Sequence, residues 1–372
     1  MLGKTMDKPR VLVAMSGGVD SSVAAALLLR EGYDVVGVTM NVWPESDPNA
    51  VVREDACCSL SAADDARRVA AQLGIPHYVL NLKETFAEKV IDLFFEEYAR
   101  GRTPNPCVRC NQHIKFDALW PKARALNAAY IATGHYARIE YDAARDLHQL
   151  RQAVDARKDQ SYVLYPLDQE HLARTMLPLG GYQKAEIRQI ARELGLIVAG
   201  KPESQEICFI NTGHYTDQLA ARFPNAVRPG PLVNVEGVRV GEHAGIGSYT
   251  VGQRKGLGVA LNEPQYVVGL APETNTVTIG GERALYAAAA IADELKLTSV
   301  RELTDGQEVG AKIRYKAEKM AARVYHDGED RIRVVFDKPQ RAVTPGQAIV
   351  LYEGDVVLCG ATIDATVPAP TS

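Results

Sequence analysis

The sequence predicts an α/β protein: a doubly wound, mainly parallel sheet, then a small central domain, then a C-terminal β-barrel. Three observations predict it. Apolar runs of strand length alternate with amphipathic helical stretches as far as about residue 210. Between 228 and 283 the helical period fades and Gly, Pro and Val dominate. From about 293 short alternating runs appear (ARVYH, RIRVVF, QAIVLY, DVVLCGATI), parted by turn signals such as HDGED and EGD. The 372 residues suit two or three domains, read as 1–215, 216–285 and 290–372.

The elements follow in order. RVLVAM at 10–15 is a first strand, and the helical run from Val23 to Leu29 ends at Gly32. Asp34 to Met40 is a second strand. SAADDARRVAAQL at 61–73 has helical spacing, a Ser at its start, acids in its first turn and Gly74 after it. HYVLNL (77–82) reads as a strand, FAEKVIDLFFEEYARG as a helix, and AAYIATGH (128–135) as a strand entering a turn. YQKAEIRQIARELGL is a further amphipathic helix.

Composition excludes several classes. Apolar residues are 46% and charged residues 24%, ordinary values for a globular chain. The longest apolar runs, 23–29 and 284–292, are far below the ~18 residues of a membrane span. The opening MLGKTMDKPR lacks a signal-peptide core, so a cytoplasmic location with no membrane partner is expected. The net charge of −4 advertises no nucleic acid globally, so an RNA partner needs a local basic patch. Six cysteines are too few for a disulfide scaffold.

The clearest motif is Ser16-Gly17-Gly18-Val19-Asp20-Ser21-Ser22, between the first strand and the first helix. Backbone N–H groups at a helix N-terminus, with glycines allowing close approach, make an anion cradle. The hydroxyls of Ser16, Ser21 and Ser22 are further candidate donors. The spacing is neither GxxxxGK[ST] nor GxGxxG. It resembles the PP-loop of ATP pyrophosphatases, which cleave ATP between the α and β phosphates and adenylate a substrate oxygen. On that resemblance Ala14, Met15, Ser16, Gly17, Gly18, Val19, Asp20 and Ser21 bind ATP. Met40 and Gly134 close the site from later strand ends, where open α/β sheets bind ligands. His135 in the same turn orients phosphate or stabilises the turn.

Cys107 and Cys110 form a CxxC in GRTPNPCVRCNQHIKF, read as a constrained loop because prolines precede it. Cys208 lies in KPESQEICFI. Three arrangements are open: a redox-linked catalytic pair of Cys110 and Cys208, a three-ligand iron–sulfur or zinc site on Cys107, Cys110 and Cys208, or buried structural thiols. Cys57-Cys58 precedes a helix and is read as local structure. Cys359, in DVVLCGATI, belongs to the core.

Loop, CxxC segment and Cys208 together resemble one family, the tRNA-specific 2-thiouridylases (MnmA), within the PP-loop superfamily. ATGHYAR (132–138), KDQSYVLY (158–165), GIGSYTVGQRKGLG (245–258) and RYKA (314–317) extend the resemblance over nearly the whole chain. It implies ATP- and Mg²⁺-dependent thiolation of the wobble uridine U34 in tRNAs for Lys, Glu and Gln. The C2 oxygen is adenylated, and sulfur arrives from an upstream persulfide donor, a cysteine desulfurase or sulfur-relay protein. By position Cys208 carries the persulfide, and Cys110 releases the sulfur and closes a disulfide with Cys208. Asn105, Pro106 and Cys107 contact the target base. Lys158, Asp159 and Gln160, with Arg314 and Tyr315, contact tRNA.

The family pattern has TPNPD, where this chain has Cys107. That puts the acid/base role of the position in doubt and adds a third thiol, so a cluster delivering sulfur is the alternative mechanism. Basic stretches with Tyr interleaved, at 253–256 and 312–326, suit an RNA arm. Rival readings are another PP-loop ligase, which needs no catalytic thiols, and a non-catalytic tRNA-binding protein.

Overall fold

The computed structural model describes residues 8–43, 60–202, 207–210, 215–259 and 263–370. Cys57 and Cys58 fall outside them. The chain divides into two compact units. The first comprises Met1–Val90, Cys107–Asn211 and Asp355–Val357. The second comprises Ile91–Pro106, Thr212–Gly354 and Leu358–Ser372.

The first unit is built on five strands: β1 (Lys8–Ala14), β2 (Tyr33–Asn41), β3 (His77–Asn81), β4 (Tyr130–Ala132) and β7 (Thr175–Met176). Their order is β3-β2-β1-β4-β7 and every pairing is parallel. The expected doubly wound sheet is present. β1 is central and fully buried over Val11–Val13, with β2 on one side and β4 on the other. Strand order reverses there, so the loop leaving β1 lies at the crevice where such sheets bind ligands.

The helix after it, α1 (Val19–Arg30), buries nine of its 12 residues, which explains its almost unbroken apolar composition. Asp20 in its first turn and Arg30 in its last complement the helix dipole. α2 (Leu60–Leu73) follows β2 and packs its Ala66, Val69 and Ala70 into the same core.

Two features depart from expectation. An antiparallel hairpin, β5 (Ala137–Asp142) and β6 (Leu147–Gln152), interrupts the β/α alternation. Asp355 binds the Arg138 and Arg151 guanidiniums of this hairpin at 2.5 and 2.8 Å. The CxxC segment is helical rather than a loop: an α-turn at Pro106–Arg109 runs into a π-helical stretch, Cys110–Asp117. Pro106 is the first helical residue, where its missing N–H costs nothing and its fixed φ suits the helix. The proline marked a helix start.

In the second unit, β8 (Gly230–Asn234), β9 (Arg239–His243), β10 (Tyr266–Ala271) and β11 (Thr276–Gly280) form a sheet in the order β10-β11-β8-β9. It packs around Leu232, Val267, Val277 and Ile279. The strands β12 (Tyr286–Leu297), β13 (Gln307–Lys312), β14 (Met320–His326), β15 (Ile332–Arg341), β16 (Ala348–Glu353) and β17 (Val356–Pro368) form the expected barrel. Their order is β12-β15-β14-β13-β16-β17, and β12–β17 pairing closes it. Closure leaves no edge strand. Inward alternation is clear in β15, where Ile332, Val334 and Phe336 are buried. Cys359 is wholly buried in this core, which pushes its thiol up to about 12. It is structural, as its apolar setting suggests.

Leu12 on central β1 has no solvent exposure. Leu12→Ala is expected to lower stability by about 2–5 kcal/mol. Denaturant unfolding followed at a probe in the first unit measures this, and a loss under about 1 kcal/mol would mean that the core relaxes around the cavity.

Candidate active site

The Ser-Gly-Gly loop owes its shape to its glycines. Gly17 has φ +66°, and a Cβ there would lie 2.0 Å from the Ala62 carbonyl oxygen at the start of α2. Only glycine fits. Gly18 takes the N-cap position of α1 with extended backbone and no side-chain cap. Among the described residues the first N–H groups of α1 therefore have no side-chain cap, the condition under which a helix N-terminus holds an anion.

Serines close the loop. Ser21 Oγ accepts the Ser16 N–H at 3.0 Å and lies 3.2 Å from Ser16 Oγ, while Ser22 Oγ donates to the Gly18 carbonyl at 2.8 Å. Ser22 is fully buried, so its hydroxyl shapes the loop from behind. Thr39 Oγ1 donates to the Met15 carbonyl at 2.8 Å. Met15 and Met40 are buried beside the loop, and Val19 begins the helix. Gly134 does meet the loop: a Cβ there would lie 2.6 Å from the Ser21 nitrogen.

Asp20 is held by groups that sequence reading missed. Lys184 Nζ donates to both its oxygens, at 2.6 and 2.8 Å, and Tyr136 Oη donates to Oδ1 at 2.7 Å. Lys184 begins the helix Lys184–Glu193, itself secured by a Gln183–Glu186 capping box. Lys201 Nζ bridges the Gly17 carbonyl at 3.1 Å and Asp65 at 2.7 Å. The amphipathic pattern around Lys184 marked a helix but carried no sign that its first residue would cross to Asp20.

The turn at Lys158, Asp159 and Gln160 supports this arrangement. Asp159 is buried. Its oxygens accept from the Ala153 and Ser161 N–H groups at 3.1 Å, from Gln152 at 2.8 Å and from the Ser161 hydroxyl at 3.0 Å. Gln160 Oε1 accepts the Tyr136 N–H at 2.9 Å. Asp159 and Gln160 are thus spent on the turn behind Tyr136, while Lys158 is half-buried.

Cys107 is exposed and Cys110 half-buried, one turn apart on the helix that begins at Pro106. Lys115, later on that helix, lies 3.3 Å from Nε2 of His135. His135 is buried, and burial first, then Lys115, push its pKa well below the ordinary value. It is therefore neutral: Nε2 accepts from Lys115 and Nδ1–H donates to Thr133 Oγ1 at 2.7 Å. His135 stabilises the turn carrying Gly134. Cys208 is half-buried, and its neighbour Phe209 is anchored edge-on to Phe86 at 5.8 Å. Among the described residues no group of three His, Cys, Asp or Glu side chains is placed to hold a metal. Cys107, Cys110 and Cys208, all described, form no such trio.

In the second unit, Asn105 and Pro106 end a strap fastened to the barrel. Gln347 Nε2 donates to the Thr103 carbonyl at 2.8 Å, Thr103 N–H to the Pro345 carbonyl at 2.8 Å, and Arg102 to Asp364 at 2.8 Å. Arg314 is exposed and Tyr315 half-buried in the turn between β13 and β14.

The chain matches the tRNA methyl transferase HUP domain over residues 9–212, the tRNA methyl transferase PRC-barrel domain over 217–281 and the aminomethyltransferase β-barrel domain over 287–363. It is 51% identical to the tRNA-specific 2-thiouridylase MnmA of Pelotomaculum thermopropionicum, over 97% of this chain and 99% of that protein. It is 52% identical to that of Carboxydothermus hydrogenoformans, over 96% and 98%. This chain belongs to the MnmA family. The PP-loop of an MnmA protein is a site for ATP, and the bare helix N-terminus behind Gly17 and Gly18 fits a phosphate chain.

Two outcomes test the site. Lys184→Met leaves Asp20 without its cation, and tRNA-dependent pyrophosphate release is expected to fall by about 10- to 100-fold. An unchanged rate would mean that Asp20 does not depend on Lys184. At the far end of the Cys110 helix, Asp117 accepts from His113 at 3.1 Å and from His171 at 3.3 Å. The Asp117 bond, which contributes most, and Asp168, at 2.8 Å, raise His171 to about 9 against the lowering effect of burial. A raised histidine stabilises the fold fully below its unfolded pKa near ~6.5 and loses that contribution as pH climbs through the folded value. Asp117→Asn should therefore return the His171 titration toward ~6.5 in an NMR pH series, and flatten the loss of stability between pH ~7 and ~9.

Proposed function

We propose that this chain is an ATP-dependent sulfurtransferase that converts the wobble uridine U34 of tRNA, in the Lys, Glu and Gln acceptors, to 2-thiouridine. The observation that carries the reading is one α/β unit with both an uncapped Ser-Gly-Gly cradle and two separated thiols, Cys110 and Cys208, in a chain about half identical to named 2-thiouridylases from end to end.

The chemistry follows from the substrate. A uracil C2 carbonyl is a weak electrophile with no leaving group. Attack of its oxygen on the α-phosphate of ATP expels pyrophosphate and leaves an AMP ester, which supplies both. The α1 N–H groups stabilise charge on the phosphates as it develops. Mg²⁺ travels with the nucleotide's phosphates. Asp20, the loop's one carboxylate, has both oxygens on Lys184, so it serves by positioning the loop.

Sulfur follows in two displacements. The terminal sulfur of a Cys208 persulfide attacks C2 and AMP leaves. The Cys110 thiolate then attacks Cys208 Sγ, the S–S bond to the base breaks, and thiouridine departs, leaving a Cys110–Cys208 disulfide for an external dithiol to reduce. An upstream persulfide donor reloads Cys208. We assign base contact to Asn105, Pro106 and Cys107, and tRNA contact to Lys158, Arg314 and Tyr315. Asp159 and Gln160 support that contact through the turn they hold. The matching domain names mention methyl transfer. Methylation needs neither an activated carbonyl oxygen nor a sulfur nucleophile, so the loop and thiols favour thiolation. The working division is 1–215, 216–285 and 290–372, in a cytoplasmic enzyme.

Cys208→Ser and Cys110→Ser are each expected to abolish 2-thiouridine formation, by at least about 100-fold, while pyrophosphate release with tRNA stays near the wild-type rate. Nucleoside analysis of the tRNA and a pyrophosphate assay on the same sample separate the two steps. Full thiolation by Cys208→Ser would refute the persulfide route.

A further inference from the structure

Away from the loop and the thiols, the first unit has a cavity of ≈ 110 Å³ beside edge strand β7. Its floor is apolar, from Phe116 and Ile131, and Trp120 forms one wall. Arg124 and Arg174 stand over the Trp120 ring, their guanidinium carbons 5.9 and 5.0 Å from its centroid. Both arginines are exposed, and neither side chain makes an ion pair or hydrogen bond among the described residues. The Trp120 Nε1 is buried and has no acceptor among those residues. His171 also lines the cavity.

The nearby carboxylates Asp117 and Asp168 are occupied by His171. That leaves Glu170 as the one carboxylate of the lining, against two guanidiniums and a histidine. Stacking on the indole holds both guanidinium planes while leaving their N–H edges open, the arrangement that suits bidentate recognition of phosphate. The volume decides the ligand's size. Sites for whole small molecules run to roughly 300–1,000 Å³. This cavity takes a phosphate group and part of its sugar, not a nucleoside triphosphate.

We propose that the cavity is a docking site for a backbone phosphate of the RNA substrate, gripped by Arg124 and Arg174 on the Trp120 platform. The proposal rests on the tRNA reading above and adds a contact outside the reacting loop. Trp120 lies ten residues beyond Cys110 on one nearly continuous helical run, about 15 Å at 1.5 Å per residue. A phosphate held there registers the RNA against the thiol helix a few nucleotides from the target base. The contact reads no sequence; it positions.

The test uses the full chain and unmodified tRNA. The double variant R124A/R174A is expected to bind tRNA about 10-fold more weakly, with the slope of log K against log salt reduced by about 1. Its tRNA-independent ATP binding should be unchanged. R124K/R174K keeps the charge but loses the planar fork, so it should retain the salt slope and recover only part of the affinity. Equal thermal stability of the three proteins separates lost contact from lost fold. If wild-type protein thiolates tRNA while R124A/R174A binds it with wild-type affinity and slope, the docking site is wrong and the function stands. If wild-type protein neither binds nor thiolates tRNA, both fall. Binding of inorganic phosphate at Arg174 with no change in RNA affinity would assign the cavity to a free anion and overturn the proposal.

Discussion

The catalytic unit depends on one half-buried carboxylate. Asp20 sits in the first turn of α1, where the helix dipole already favours negative charge. Lys184 and Tyr136 meet it there, and through them a distant helix and the turn before β5 are fixed to the phosphate loop. The pair is shielded enough that loss of one partner strands the other. Around it the contacts form a chain. Gln160 holds the backbone of Tyr136, Asp159 holds the turn that presents Gln160, and Lys201 holds the carbonyl of Gly17. These bonds fix the loop from the protein side, which is how preorganised donors stabilise a transition state without reorganisation.

The same network reaches the thiol helix. Gly134 backs onto Ser21, its neighbour His135 is neutral and bonded to Lys115, and Lys115 stands on the stretch that begins at Cys110. The Ser-Gly-Gly loop and the Cys110 helix therefore share one scaffold. The π-helical geometry of Cys110–Asp117 belongs to the same theme, since wide turns of this kind recur at functional sites. At its far end the Asp117 carboxylate and two histidines tie the helix down. Within the second unit, Thr103 and Pro104 are fastened to Gln347 of the barrel.

Several assigned residues changed character once placed. Ser22 was a candidate phosphate donor by its hydroxyl and Asp159 a tRNA contact by the family resemblance; both are buried, with their side chains bonded within the protein. The CxxC segment looked like a loop because prolines break helices, yet Pro106 begins one. Of the two readings open for His135, orienting phosphate or stabilising its turn, its burial and its bonds to Thr133 and Lys115 favour the second.

Much was legible without coordinates. Alternating runs and helical periods are local, so they reported the parallel sheet, the loop at its switch point and the late barrel. The full run from Ser16 to Ser22 after an apolar strand, more than its two glycines, pointed to a phosphate cradle. The family motifs extended that reading to the thiols. What only the tertiary structure decided is long-range. Lys184 lies 164 positions from Asp20, and Arg174 lies 54 from Trp120; no periodicity records which charged residue crosses to which partner. Burial decided the rest, because the same serine or aspartate donates outward when exposed and inward when covered. A sequence lists the side chains that can make a bond, and packing chooses which of them still can.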